Sequence, residues 1–157
     1  MTIRAAQISD LKHIVDLMIE FAEFEKLSHT CEVSENDLRE AIFGENGFVK
    51  CLVVESENRL IGYALFYPIF KSFRGERSMF LEDLYVSPEM RGRGLGLKLL
   101  KAAARIAKER SCVRMDWQAL RWNAPAIEFY KNLGAETDDE NLDFRLRGES
   151  FKKLADD

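Results

Sequence analysis

Apolar residues first recur at the spacing of one helical face after Asp10, at Leu11, Ile14, Leu17, Met18, Phe21 and Phe24. That spacing predicts a helix to about Lys26, with Asp10 as its N-cap. Thr2–Ala6 reads as a short strand before it, and Ser34 with Asp37 forms a capping pair for a second helix to about Phe43. Phe48–Glu55 and Leu60–Phe70 read as strands around a turn at Ser56–Arg59, followed by a strand at Ser78–Val86. A long amphipathic stretch to about Arg110 predicts a helix, and Val113–Ala119 a further strand. Asn123 caps a helix with Pro125 in its first turn and Gly134 as its stop; Phe144–Leu146 reads as a last strand. The order β-α-α-β-β-β-α-β-α-β predicts an α/β (α+β) fold, a mixed central sheet with helices on both faces and a crossover near the middle of the chain. No linker or repeat divides residues 1–157, so a single domain is expected.

The pattern is interrupted at one place that needs a separate reason. Glu89–Leu100, EMRGRGLGLKLL, puts Gly92, Gly94 and Gly96 at alternate positions where a helix must begin. Each glycine lowers helix stability by roughly 1 kcal/mol relative to alanine. A first helical turn carries backbone N–H groups without intrahelical partners, and their dipoles attract anions. Glycines there remove side chains that would hold a phosphate away, while Arg91 and Arg93 add charge and donors. A strand followed by this turn therefore reads as a diphosphate cradle; a tight turn that needs glycine only for its dihedrals is the plainer alternative. The pattern GxxxxGK[ST] is absent, because Leu97 and Lys98 follow Gly96, and GxGxxG fails because the third glycine comes one residue early.

Composition narrows the picture further. The net charge of −4 argues against nucleic acid as the main partner and is compatible with a cationic substrate. No run of about 18 apolar residues suggests a membrane helix, and MTIRAAQISD lacks the apolar core of a secretory signal. Cys31, Cys51 and Cys112 have no CxxC spacing. Cys51 and Cys112 lie in apolar runs and are expected to be buried and reduced, as in a cytoplasmic protein. With only His13 and His29, no metal site is expected.

Arg91, Gly94 and Gly96 match [RQ]xxGx[GA] after a strand and before an amphipathic helix, which resembles the acetyl-CoA motif of the GNAT N-acetyltransferases. IRAAQISDL, LEDLYVSPEMRGRGLG and WNAPAIEFYKNLGA follow in the order of that superfamily, so the likeness covers nearly the whole chain. FAEFEKLS, FLEDLYV and the terminal GESFKKLA resemble the spermidine/spermine (diamine) acetyltransferase family, and FAEFEKLS with GE-x-x-x-KLA is similar to its thialysine Nε-acetyltransferase branch.

The resemblance implies acetyl transfer from the thioester of acetyl-CoA, as cosubstrate, to a primary amine. An alkylammonium titrates near pH 10, so deprotonation at pH 7 costs roughly 4 kcal/mol. Glu82, in FLEDLYV, matches the family's base, acting directly or through water. Asp83 is adjacent, and consecutive strand residues point to opposite faces, so both can line one pocket only if a bulge intervenes. Tyr130, in AIEFYKNLG, matches the tyrosine that protonates the departing thiolate; by periodicity alone it reads as a core aromatic beside Ile127 and Leu133. The family places pantetheine contacts on the backbone of Leu84, Tyr85 and Val86, and phosphate contacts on Arg91, Gly92, Arg93, Gly94, Leu95, Gly96 and Leu97. Asn123, Ala126 and Tyr130 complete its cofactor contacts. Phe24, Glu25, Glu82, Asp83, Asp116, Trp117 and Gln118 match its amine side, where Trp117 could hold an ammonium by cation–π attraction.

Where polyamine enzymes carry a late acidic contact, an ungapped count lands on Leu142, with Glu140 displaced. That departure favours a short amine such as thialysine, a lysine-like amine or a small diamine over a long polyamine. The family also implies a homodimer. Acceptance of a protein N-terminus or protein lysine stays open, as does a non-catalytic acetyl-CoA-binding sensor; the presence of both Glu82 and Tyr130 argues against the sensor.

Overall fold

The computed structural model describes residues 1–138 and 141–156. The chain divides into two compact units, Met1–Leu120 and Arg121–Asp157. The first unit contains β1 (Thr2–Ala5), α1 (Leu11–Phe24), α2 (Glu35–Phe43), β2 (Lys50–Ser56), β3 (Arg59–Lys71), β4 (Glu76–Val86), α3 (Leu95–Glu109) and β5 (Arg114–Trp117). The second contains α4 (Ala124–Asn132) and α5 (Glu149–Asp156).

The five strands lie in sequence order, β1 to β5, in one sheet. The first three pairings are antiparallel, and β4 with β5 is parallel. The mixed sheet follows from the connections: short turns join β2, β3 and β4, whereas β4 reaches β5 through α3. Strand alternation sends Cys51, Val53, Tyr63 and Leu65 to a core shared with Leu11, Ile14 and Leu17 of α1 and Leu38 of α2. The intervening Leu52, Val54, Ala64 and Phe66 are equally buried and face the other way, where α3 crosses the sheet with Leu95, Leu99, Ala103 and Ala107 inward. Helices thus cover both faces, and each fully buried aliphatic or aromatic side chain contributes about 1.5–3 kcal/mol.

Four expectations change. The Asp10 side chain does not cap α1. It accepts from Gln7 N–H at 2.7 Å and pairs with Arg4 at 2.6 Å, and Arg4 also holds Glu55 at 2.7 Å, which pins β1 to β2. The first helix stops at Phe24 instead of Lys26, because Lys26 takes a left-handed φ of 60° and Glu25 becomes the C-cap. Phe144–Leu146 joins no ladder among the described residues, and Phe144 is 93 % exposed, so alternation there has no partner strand to satisfy. Instead the chain ends in α5, with Glu149 in its first turn and Lys153 in its last, as the helix dipole favours. Cys112 is half-buried, not buried like Cys51, because it lies just past the turn that follows α3. The Ser34–Asp37 capping box forms as expected, Ser34 N–H to Asp37 Oδ2 at 2.8 Å and Asp37 N–H to Ser34 Oγ at 3.2 Å. Among the described residues no helix is long and apolar enough to cross a membrane.

Candidate active site

Pairing between β4 and β5 runs from Ser78 with Arg114 to Leu81 with Trp117 and goes no further. Beyond Leu81, β4 continues through Glu82, Asp83, Leu84, Tyr85 and Val86, paired on its other side with β3 alone. The β5-facing edge of those residues has no strand partner among the described residues, which leaves room for an extended ligand to pair with it, although Val86 O already accepts from Arg91 Nε.

The divergence coincides with a bulge. Leu65 pairs with Asp83 while Phe66 pairs with Leu81, which leaves Glu82 as the extra residue. The bulge breaks the alternation, and both carboxylates meet the same face of β3. The Tyr67 hydroxyl donates to Glu82 Oε2 at 2.7 Å, and the Tyr63 hydroxyl donates to Asp83 Oδ2 at 3.0 Å. Tyr63 and Tyr67 are four residues apart on one strand and therefore point the same way. Neither tyrosine stood out in the sequence, since both sit in an apolar strand where an aromatic is ordinary core. Their four-residue spacing opposite two consecutive acids was the available signal.

Electrostatics distinguish the two acids. Glu82 is exposed. Asp83 is pushed up to about 6, first by burial and then by the charges of Glu82 and Glu25, against the lowering effect of the Tyr63 hydrogen bond. Glu25, at the C-cap of α1, is raised by burial. No ion pair involves Glu25, Glu82 or Asp83 among the described residues. Three acids whose charges reach one another, without a cation of their own, form a local excess of negative charge. Burial likewise pushes Tyr67 to about 12, with the Glu82 hydrogen bond and charge adding to it.

Arg91 turns back towards α1. Its guanidinium carbon lies 4.3 Å from the Phe24 ring centroid and 5.6 Å from that of Tyr85, and its Nε donates to Val86 O at 3.0 Å. Tyr85 stacks on Phe21 at 5.0 Å, and Tyr85 and Ser87 hydroxyls donate to Glu20 at 3.3 and 3.2 Å. Glu20 and Ser87, which sequence reasoning missed, thus tie the end of β4 to α1 just ahead of the glycine turn.

In that turn Gly92 and Gly94 adopt left-handed φ angles of 74° and 70°, which L side chains rarely take. Gly96 is different: its φ is not in that region, and an added Cβ would meet nothing within 4 Å. Nothing in the protein itself requires glycine there, in the first turn of α3. The first backbone bond of the helix runs from Lys98 N–H to Gly94 O at 3.0 Å, so the N–H groups of Leu95, Gly96 and Leu97 precede the ladder. Arg93 is exposed, Leu95 is buried in the core, and Leu97 is half-buried. Open space above a glycine and unbonded amides together fit a diphosphate.

Asp116 is already engaged: it accepts from Ser78 Oγ at 2.6 Å, is paired with Arg114 and lies 3.7 Å from Lys71 Nζ. Those partners hold its carboxyl below the usual range despite burial. Trp117 ends β5 half-buried, and Gln118 follows it exposed. In the second unit Asn123 caps α4, with Ala126 N–H donating to Asn123 Oδ1 at 3.3 Å, and Tyr130 lies on the same helix with its ring 5.1 Å from that of Phe129. Leu142 is 81 % exposed; Glu140 lies outside the described residues.

The model of the acetyltransferase (GNAT) family matches residues 13–135. Thialysine N-epsilon-acetyltransferase of Mus musculus is 43 % identical, covering 98 % of this chain and 96 % of that protein. The enzyme of the same name from Sus scrofa is 40 % identical over the same shares. A solved integron cassette protein of V. cholerae superposes with a TM-score of 0.82 at 30 % identity, covering 99 % of this chain and 98 % of its own. The chain is an N-acetyltransferase and belongs to the GNAT family.

Proposed function

We propose that this enzyme transfers an acetyl group from acetyl-CoA to a primary amine of a small cationic molecule: thialysine, a lysine-like amine, a diamine or a polyamine, with short acceptors preferred. The observation that carries the reading is the uncompensated negative charge of Glu25, Glu82 and Asp83 where β4 leaves β5. A cationic acceptor supplies the missing charge, and the 43 % identical mouse relative bears the name of an amine acetyltransferase.

Acetyl-CoA supplies the activated acetyl thioester. Gly92 to Leu97 would hold its diphosphate, with Arg93 adding charge, and the free edge of Leu84, Tyr85 and Val86 would pair with its pantetheine amides. Arg91 braces the turn through Phe24 and Val86 O. Glu82 accepts the proton of the attacking amine, directly or through water; its exposure and single tyrosine donor leave one carboxylate oxygen for that task. Tyr130 acts as general acid from α4, with Asn123 and Ala126 contributing cofactor contacts. Phe24, Trp117 and Gln118 line the amine side, and Asp116 shapes it through Arg114 and Lys71.

The family match, residues 13–135, continues from the first compact unit into the second, which supports reading 1–157 as one catalytic domain. The enzyme works as a homodimer, a reading supported by the exposed Leu142, Phe144, Phe151 and Leu154 near the C-terminus. Three free cysteines suit a cytoplasmic location. Thiol release from acetyl-CoA, measured against thialysine, lysine, putrescine, spermidine and a peptide, tests the acceptor class. Turnover with the small amines is expected; turnover confined to the peptide would overturn it.

A further inference from the structure

Two adjacent carboxylates on one face, each receiving a hydroxyl from the same neighbouring strand, are more than packing requires. Tyr63 is fully buried, and a buried phenol needs an acceptor. An aspartate is an expensive acceptor in that place, because burial first, and then the charges of Glu82 on its own strand and Glu25 from α1, oppose its ionisation. An apolar residue at 83 with phenylalanine at 63 would fill the same space without a buried charge. The arrangement makes sense if the charge is used.

We propose that Tyr63 and Tyr67 are positioning residues that give the two acids separate tasks: Tyr67 steers Glu82 towards the amine that reacts, and Tyr63 holds Asp83 as the fixed anion against which a cationic acceptor docks. This deepens the amine-acetyltransferase reading and rests on it. The geometry is specific to the bulge. Without the extra residue, Glu82 and Asp83 would face opposite sides of β4, and the two hydroxyls could not reach both.

The titratable groups facing Asp83 are Tyr63 and Tyr67 from β3, Cys51 from β2, Glu25 from α1 and Glu82 on β4. Of these only the Tyr63 hydrogen bond favours the ionised form. Its loss therefore moves the Asp83 titration upwards and leaves the docking anion partly neutral at pH 7.

The test combines kinetics with direct titration. In the parent enzyme, the ¹³C signal of the Asp83 side-chain carboxyl should titrate with a midpoint of about 6. Tyr63→Phe should move that midpoint upwards, raise KM for the amine severalfold at pH 7, and shift the acid limb of kcat/KM upwards with it. Tyr67→Phe should lower kcat severalfold while leaving KM for acetyl-CoA unchanged. Should Tyr63→Phe fail to fold, 3-fluorotyrosine at position 63, a stronger donor of similar size, should move the midpoint downwards. An Asp83 midpoint indifferent to both changes at 63, or variant kinetics within twofold of the parent at every pH, would overturn the proposal. Absence of amine turnover in the parent would instead count against the small-amine acceptor, and the carboxyl titration would still report on Tyr63.

Discussion

Leu81 and Trp117 are the last residues at which β4 and β5 pair, and the next residue along β4 is Glu82. The strand edge opens, the register slips and the proposed base appears within one residue. Glu82→Gln keeps the shape and an acceptor for Tyr67 but removes the proton acceptor. We expect kcat to fall about 100-fold, within the range general-base groups supply. Melting temperature and acetyl-CoA affinity should stay near the parent's, because Glu82 is exposed and lies outside the glycine turn. Steady-state kinetics with calorimetry checks both; parent-like kcat excludes Glu82 as the base.

Gly96 offers a substitution whose two effects have opposite sign. With an ordinary φ and nothing within 4 Å of an added Cβ, Gly96→Ala should stabilise the free enzyme by up to about 1 kcal/mol. The new methyl occupies the space assigned to phosphate, so acetyl-CoA should bind at least tenfold more weakly. Thermal melts and titration calorimetry read the two effects separately. A stabilised variant with undiminished affinity would remove the cradle.

Asp83 couples stability to pH in the direction opposite to most acids. Its folded pKa of about 6 lies above the ordinary 3.8, so the folded state binds the proton more tightly between those values. Stability from this group is present at low pH and declines as pH rises from about 4 to about 6. Asp83→Asn should therefore stabilise the enzyme at pH 7 by about 2 kcal/mol while weakening amine binding. Asp10 and Asp116, held down chiefly by arginine partners, contribute with the reverse sign and lose their stabilisation on acidification. Denaturant melts at pH 5 and pH 7 on the parent and Asp83→Asn check the sign.

Tyr130→Phe removes a proton donor and little volume. We expect kcat to drop at least tenfold with acetyl-CoA affinity nearly unchanged, as rapid-quench and equilibrium binding would measure. Equal turnover would exclude Tyr130 as the acid.

Much of this was legible in the chain itself, for physical reasons. Helices announced themselves by period, as in Leu11 to Phe24, and strands by apolar and aromatic runs between turn signals, as in Leu60 to Phe70. The glycine turn was readable because three helix-weakening residues at a helix start demand an explanation. What periodicity could not supply was register. The bulge at Glu82 changes which face a side chain meets, and it depends on how β3 pairs with β4, a contact distant in sequence. Tyr63 and Tyr67 stayed hidden for the same reason. Asp10 misled because its position suited a cap, while the competing Arg4 ion pair became visible only with the strands in place. Phe144 and Leu146 alternate like a strand, yet alternation needs a neighbour to become one.

We propose that one continuous site runs from the glycine turn to Glu82 along the open edge of β4. A crystal structure with bound acetyl-CoA decides whether it does. Diphosphate oxygens are expected on the amides between Gly92 and Leu97, and pantetheine paired with the backbone of Leu84 to Val86. Phosphorus atoms found elsewhere on the protein would contradict it.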